Sequence, residues 1–145
     1  MVKAKQINRR CVILGFGSVA IPVCHIFATR YSMREYVIVD KKRITDEQIK
    51  ILGNKRVSRL ELDIERKDLF STMMYILKDD DVVCVFFGCN ESLDILHACH
   101  LKKGIVYVNA GIEEDMFKPY PSQYALYNAF FEFKKKIQAS YCRKY

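Results

Sequence analysis

The chain has 145 residues, 50% of them hydrophobic and 12% aromatic, enough for one buried core and too apolar for a disordered chain. That length predicts a single domain and leaves no room for a cofactor domain followed by a separate substrate domain. The net charge of +7 is concentrated at the ends, because residues 11–132 hold 15 basic and 17 acidic residues, a net of −2.

Lys3, Lys5, Arg9 and Arg10 make residues 1–10 a basic N-terminal arm, and Lys134, Lys135, Lys136, Arg143 and Lys144 follow the last acid, Glu132. A basic groove across the fold is not indicated, so nucleic acid is an unlikely ligand, and the two basic ends suit an acidic partner surface. The six cysteines form no CxxC pair, and several lie in apolar runs where Cys acts as a small buried hydrophobe. A reducing, cytoplasmic compartment fits them better than a disulfide framework. Basic residues 3–10 before an apolar run at 11–28 imitate a signal peptide, but Gly15, Gly17, Ser18, Pro22 and His25 interrupt that run. No stretch approaches the ~18–20 apolar residues of a membrane span.

Cys11–Gly15 reads as a buried strand, Gly17 to about Arg30 as a helix, and Tyr36–Asp40 as a second buried strand ending in an acid. Thr45–Leu52 is a short helix that Thr45 can cap and Gly53-Asn54 can close. Arg56–Leu62 is a third strand near an edge, and Glu65–Leu77 an amphipathic helix with Leu69, Met73, Ile76 and Leu77 on one face. Val82–Phe87 is a central strand, Glu91–Lys103 a helix closed by Gly104, and Ile105–Asn109 a fifth strand. A last helix, from about Ser122 to Tyr141, carries a stripe of Leu126, Phe130, Phe133 and Ile137, widened by Tyr127 and Phe131. That stripe suits packing on the sheet, with partner binding as the alternative. The alternation predicts a Rossmann-like α/β fold, a doubly wound parallel sheet of about five strands, over residues 11–118. The C-terminal amphipathic helix and basic tail occupy 119–145.

The most informative local pattern is Gly15-Phe16-Gly17-Ser18-Val19-Ala20, a GxGxxA turn between a strand and a helix. Gly15 permits the turn, Gly17 lets backbone approach a pyrophosphate, and Ala20 allows close helix–strand packing. The helix N-terminus then offers N–H groups and a positive dipole end to the phosphates. Asp40 lies 20 residues beyond Ala20, at the position where a carboxylate accepts hydrogen bonds from the adenosine ribose. That acid favours NAD over NADP, although Lys41, Lys42 and Arg43 suit a 2′-phosphate.

These motifs resemble the bacterial homospermidine synthases, of the saccharopine-dehydrogenase-like group. The resemblance runs from VILGFGS and VIVD through Ser92-Leu93-Asp94-Ile95, Tyr107-Val108-Asn109 and Glu113 to Ser122-Gln123-Tyr124-Ala125-Leu126. It implies that bound NAD oxidises a diamine, that a second amine attacks, and that the hydride returns. It implies that Gly15, Gly17, Ala20 and Asp40 hold NAD and that Glu113 faces the substrate amine, where an anion suits a cationic diamine. It covers only the N-terminal Rossmann portion of a much longer family chain. Cys89 stands at an acidic position of the family, Asn109 at an Asp, and Glu114-Asp115 at a Pro-Trp pair, so polar groups are lost from the surviving half.

Cys89, His97, Cys99 and His100 lack zinc spacing, and no metal site is expected. Asp79-Asp80-Asp81 reads as a solvated turn. Two functions follow. One is a truncated NAD-binding domain that acts in polyamine metabolism only with a partner supplying the missing half. The other is a non-catalytic interaction protein reusing the fold, for example a minor component of a virion or other large assembly. In either case an open sheet edge beyond the fifth strand and the aromatic last helix predict a protein partner or homo-oligomer.

Overall fold

Runs such as VVCV and CVIL have no polar side chain to offer water, so they are stable only as strands covered on both faces. A computed structural model of the chain describes residues 3–53, 56–63, 68–86, 91–109 and 123–142. Five parallel strands, β1 (Lys5–Leu14), β2 (Tyr31–Asp40), β3 (Arg56–Glu61), β4 (Val82–Val85) and β5 (Val106–Asn109), form one sheet in the order β3-β2-β1-β4-β5. The helices are α1 (Ala20–Arg30), α2 (Asp46–Ile49), which continues into a 3₁₀ turn at Lys50–Leu52, α3 (Leu69–Ile76), α4 (Glu91–His100) and α5 (Tyr124–Cys142). This is the Rossmann-like doubly wound fold. Among the described residues, no helix is long and apolar enough to cross a membrane.

Strand alternation divides the core in two. Cys11, Ile13, Tyr36, Ile38, Val82, Cys84, Val106 and Val108 join α1, α5 and Leu52 in one cluster. Val12, Leu14, Val37, Val39, Val83, Val85 and Tyr107 join Leu69, Met73, Ile95, Ala98 and Cys99 of α3 and α4 in the other. Every β4 residue is buried, as expected of a central strand.

β1 begins at Lys5 rather than Cys11, so much of the expected basic arm lies in the sheet. Lys5, Gln6 and Ile7 pair with Tyr31, Ser32 and Met33 of an equally lengthened β2. The outer half of β1 keeps mostly exposed polar side chains and gave no apolar signal. Arg10 is not a tail charge at all. It is buried against Asp81, with Nη2 2.7 Å from Oδ2 and Nε 3.1 Å from Oδ1, and Nη2 also donates to the Ile76 carbonyl at 2.6 Å. Asp81 in turn accepts from the Lys78 backbone N–H at 2.8 Å. Asp81 is therefore a buried clasp at the N-terminal end of the sheet, while Asp79 and Asp80 form the expected exposed turn. Asp79 accepts from the Lys103 N–H, and Asp80, at φ 66°, donates its N–H to the Lys103 carbonyl.

The stripe on α5 packs. Phe130 stacks on Phe27 of α1 with centroids 3.7 Å apart, Phe133 meets Phe27 at its edge, and the Arg30 guanidinium lies 5.4 Å over the Phe133 ring. Leu126, Tyr127, Phe130, Phe131 and Phe133 are all buried, and Ile137 is partly so. The β5 edge, expected to expose apolar surface, does not: Val106–Asn109 are at most 5% exposed. β3 is the other edge strand, and there Arg56, Ser58, Arg59 and Glu61 are exposed, with charged side chains that oppose edge-to-edge pairing.

Candidate dinucleotide-binding turn

Leu14 ends β1, and the chain turns at Gly15 with φ 88°, a left-handed conformation that a β-carbon would strain. The turn stays tied to β2, because the Gly15 N–H donates to the Val39 carbonyl at 2.8 Å. Phe16 is 4% exposed and sinks its ring into the core on the α1 face, which pins the turn from below. Gly17 and Ser18 are exposed, and no heavy atom lies within 4 Å of the place a Gly17 β-carbon would occupy. Ala20, 1% exposed, lets α1 settle against the sheet.

The first turn of α1 has neither an acid nor a side-chain cap to oppose an anion, although two of its backbone donors are spent or absent. Val19 occupies the cap position without a side-chain cap bond, no acid lies in the first turn, Ile21 N–H is taken by the Gly17 carbonyl, and Pro22 has no N–H. This helix start faces the crevice where the strand order reverses, between β1 and β4. Folds of this kind bind ligands there.

Asp40, at the C-terminal end of β2, is tied to the same turn. Its Oδ2 accepts from the Phe16 N–H at 2.8 Å and its Oδ1 from the Lys42 N–H at 3.0 Å. Each carboxylate oxygen retains a second lone-pair site with which to accept a further hydrogen bond. Lys41, Lys42 and Arg43 are exposed beside it. Asp40→Asn puts an amide N–H against one of these backbone donors. We expect it to cost about 1.5–3 kcal/mol, the range for a hydrogen bond to a charged acceptor, read as a lowered denaturation midpoint.

Gly15, Phe16, Gly17, Ser18, Val19, Ala20 and Asp40 thus lie together at one end of the sheet. Phe16 contributes its backbone, since its ring is core. Glu113, Cys89 and the Gly111–Asp115 loop lie outside the described residues. Asn109, at the end of β5, is buried and donates from Nδ2 to the Tyr107 hydroxyl at 2.8 Å. Burial pushes the Tyr107 phenol up to about 12, with the Asn109 hydrogen bond opposing and Cys99 adding to the shift, so it is no general base near neutrality. Sequence reasoning gave Arg10 no structural part and Gln123 no role of its own. Gln123 is a polar residue on the extension of the α5 stripe, which is the one signal that singles it out.

No group of three or more metal-ligating residues that could hold a metal ion occurs among the described residues. His97 stacks on Phe70, and Cys99 is buried. Cys11, Cys24 and Cys84 are buried free thiols on the α1 face of the sheet. Burial raises the Cys24 and Cys84 thiols well above their usual value, and neighbouring Cys11 adds to it. The unfolded chain therefore ionises these thiols first. Their contribution to stability is complete below the ordinary cysteine value of about 8.5 and falls as pH rises beyond it. Denaturation midpoints are expected to drop from pH 8 to pH 10, and a thiol reagent at pH 8 to label Cys24 and Cys84 only after denaturant is added.

The residues of the turn fit a dinucleotide: a glycine with open space over it, an uncapped helix start and an acid at the end of the next strand. No curated protein sequence matches the chain. Among solved structures, a homospermidine synthase from Legionella pneumophila, solved in complex with NAD, is similar at 22% identity with a TM-score of 0.62. That likeness covers 74% of this chain, which spans 23% of the synthase. A short-chain dehydrogenase/reductase from Veillonella parvula is similar at 18% identity with a TM-score of 0.52, covering 71% of this chain and 47% of the other. Both carry the fold. The saccharopine dehydrogenase NADP binding domain family matches residues 11–141, the whole sheet from the inner half of β1 through nearly all of α5. With nearly all of its elements inside that match, the chain belongs to this family of dinucleotide-binding domains.

Proposed function

We propose that the chain binds a nicotinamide dinucleotide, NAD in preference to NADP, across the GxGxxA turn, and serves a homospermidine-synthase-like reaction of polyamines with a partner that supplies the substrate-facing half. The observation that carries this reading is the open space over Gly17 beside an uncapped helix start, with Asp40 tied to the same turn. In this reading Gly17, Ser18 and the first turn of α1 take the pyrophosphate, and Asp40 takes the adenosine ribose. The bound nicotinamide would supply hydride transfer. The chain's own part is to orient the cofactor: Phe16 and the Val39 carbonyl hold the turn rigid, and Asp40 fixes the register of the adenosine end. Glu113 would hold the substrate amine, as an anion does for a cationic diamine. The preference for NAD rests on Asp40, whose carboxylate repels a 2′-phosphate, against the nearby cations Lys41, Lys42 and Arg43. Calorimetric titration with NADH and NADPH tests it. Binding of NADH at least tenfold tighter is expected, equal or reversed affinity overturns the preference, and no binding of either at millimolar concentration overturns the reading.

One observation favours a second reading, a non-catalytic component of a larger assembly. Lys5 and Arg9 of β1, Arg30 at the end of α1, and Lys134 and Lys135 of α5 fall toward the N-terminal end of the sheet, opposite the turn, where they outnumber the exposed Asp79 and Asp80. An acidic protein surface suits that end, and sedimentation separates the readings. A salt-sensitive assembly that ignores NADH favours the second, and a species that binds NADH favours the first.

A further inference from the structure

α5 runs beside α1 and in the same direction. Phe130 stacks on Phe27, and Arg30, one turn later in α1, lies over Phe133, one turn later in α5. Since α1 starts at the dinucleotide turn, the first turn of α5 lies at that same end of the sheet. α5 also packs against β5, so its start belongs to the β4–β5 side of the crevice, away from Asp40 on β2.

Gln123 sits at this start. It precedes Leu126 by three residues and Tyr127 by four, so it continues the buried stripe toward the crevice. It is 4% exposed, and its Oε1 has no hydrogen-bond partner among the described residues. A buried amide oxygen without a donor is costly and rare, and such an atom calls for an absent group. The helix start alone would say nothing, but an orphaned acceptor at it points to a ligand with a donor.

We infer that Gln123 Oε1 accepts a hydrogen bond from the nicotinamide-riboside half of the dinucleotide. The inference rests on the dinucleotide reading above and deepens it. With the adenosine ribose at Asp40 and the pyrophosphate over Gly17, a dinucleotide crossing the switch point carries its second half toward β4 and β5. That half offers two kinds of donor, the carboxamide N–H and the ribose hydroxyls. Either satisfies the amide oxygen, and neither belongs to the adenosine half. Gln123 is thus a positioning residue that orients the second half of the ligand.

The test titrates the full chain and Gln123→Met with ADP, ADP-ribose and NADH. The expected result is unchanged affinity for ADP and a loss of about tenfold for NADH, the net worth of one hydrogen bond. ADP-ribose identifies the donor: unchanged affinity assigns the carboxamide, and an equal loss assigns a ribose hydroxyl. Unchanged affinity for all three ligands overturns the inference. A loss that includes ADP also overturns it, because the role is then structural. If ADP and NADH both fail to bind the unaltered chain, the dinucleotide reading has failed and this inference falls with it. ADP binding with an indifferent Gln123 sinks the inference alone. Gln123→Asn, which keeps the amide but withdraws the acceptor by one methylene, reads the same pattern where the Met variant does not fold.

Discussion

Replacing Arg10 with Leu is expected to destabilise the fold by about 3–5 kcal/mol, the cost of stranding one member of a buried ion pair. The pair has side-chain exposures of 9% and 2%, so the Asp81 carboxylate left behind has almost no access to water. Asp81→Leu should cost a similar amount, because it strands the guanidinium and also removes the acceptor of the Lys78 N–H. The double variant, Arg10→Leu with Asp81→Leu, should recover much of the loss. With no orphan charge left, only the Ile76 carbonyl and the Lys78 N–H lack partners, at about 1 kcal/mol each. Guanidinium denaturation reads this as a shifted midpoint at constant slope. Two single variants each costing under about 1 kcal/mol would show a pair that water reaches, and the clasp would lose its energetic role. Because Arg10 precedes the turn at Gly15 by five residues of strand, roughly 16 Å, ligand affinity should not change in the folded fraction.

That pair also shows where sequence reading stops. β-branched runs, the GxGxxA turn and Asp40 state the sheet, its parallel connection and the place of the candidate site directly, because those signals are local in the chain. Arg10 and Asp81 are 71 residues apart, and each looks like a surface charge by itself; only the register Cys11 opposite Val82 brings them together. The polar start of β1 hid for the same reason, since its pairing with β2 depends on a neighbour that no periodicity announces. α5 was legible as a stripe but not as a match for Phe27, so packing and partner binding stayed open until the ring stacking was visible. At the site, the acid at the end of β2 was legible from spacing. Its hold on the Phe16 N–H was not, because a hydrogen bond between a side chain and a turn 24 residues away is a property of the assembled crevice. Gln123 is one polar residue on the extension of an apolar stripe, and only its burial in the assembled fold separates it from a solvent-facing amide.

Gly17→Val is expected to abolish dinucleotide binding while leaving the fold intact, and that separation is the most direct test of what the turn does. The two glycines of the motif differ physically. Gly15 sits at φ 88°, so a side chain there strains the backbone and costs stability whatever the ligand does. Gly17 is outside that region, and a β-carbon on it meets no atom within 4 Å. The folded chain therefore has no reason of its own to require glycine at 17. Gly17→Ala should even be neutral or stabilising by about 0.4–1 kcal/mol, through the less flexible unfolded chain. Val, whose extra methyl groups project into the same open space, should change stability by less than about 1 kcal/mol. Over that space the pyrophosphate needs close backbone approach, and two methyl groups fill it. A loss of about 100-fold or more in NADH affinity, roughly 2.7 kcal/mol, is expected, with melting temperature and circular dichroism unchanged. Retained binding in a folded Gly17→Val chain would mean that the phosphates do not pass over this residue, and the proposed cofactor geometry would fall. A Gly17→Val chain that unfolds would instead contradict the open space above the turn. A glycine dispensable to the fold but required for the ligand is kept for the ligand, whereas a vacant scaffold would tolerate Val at this position without any measurable change.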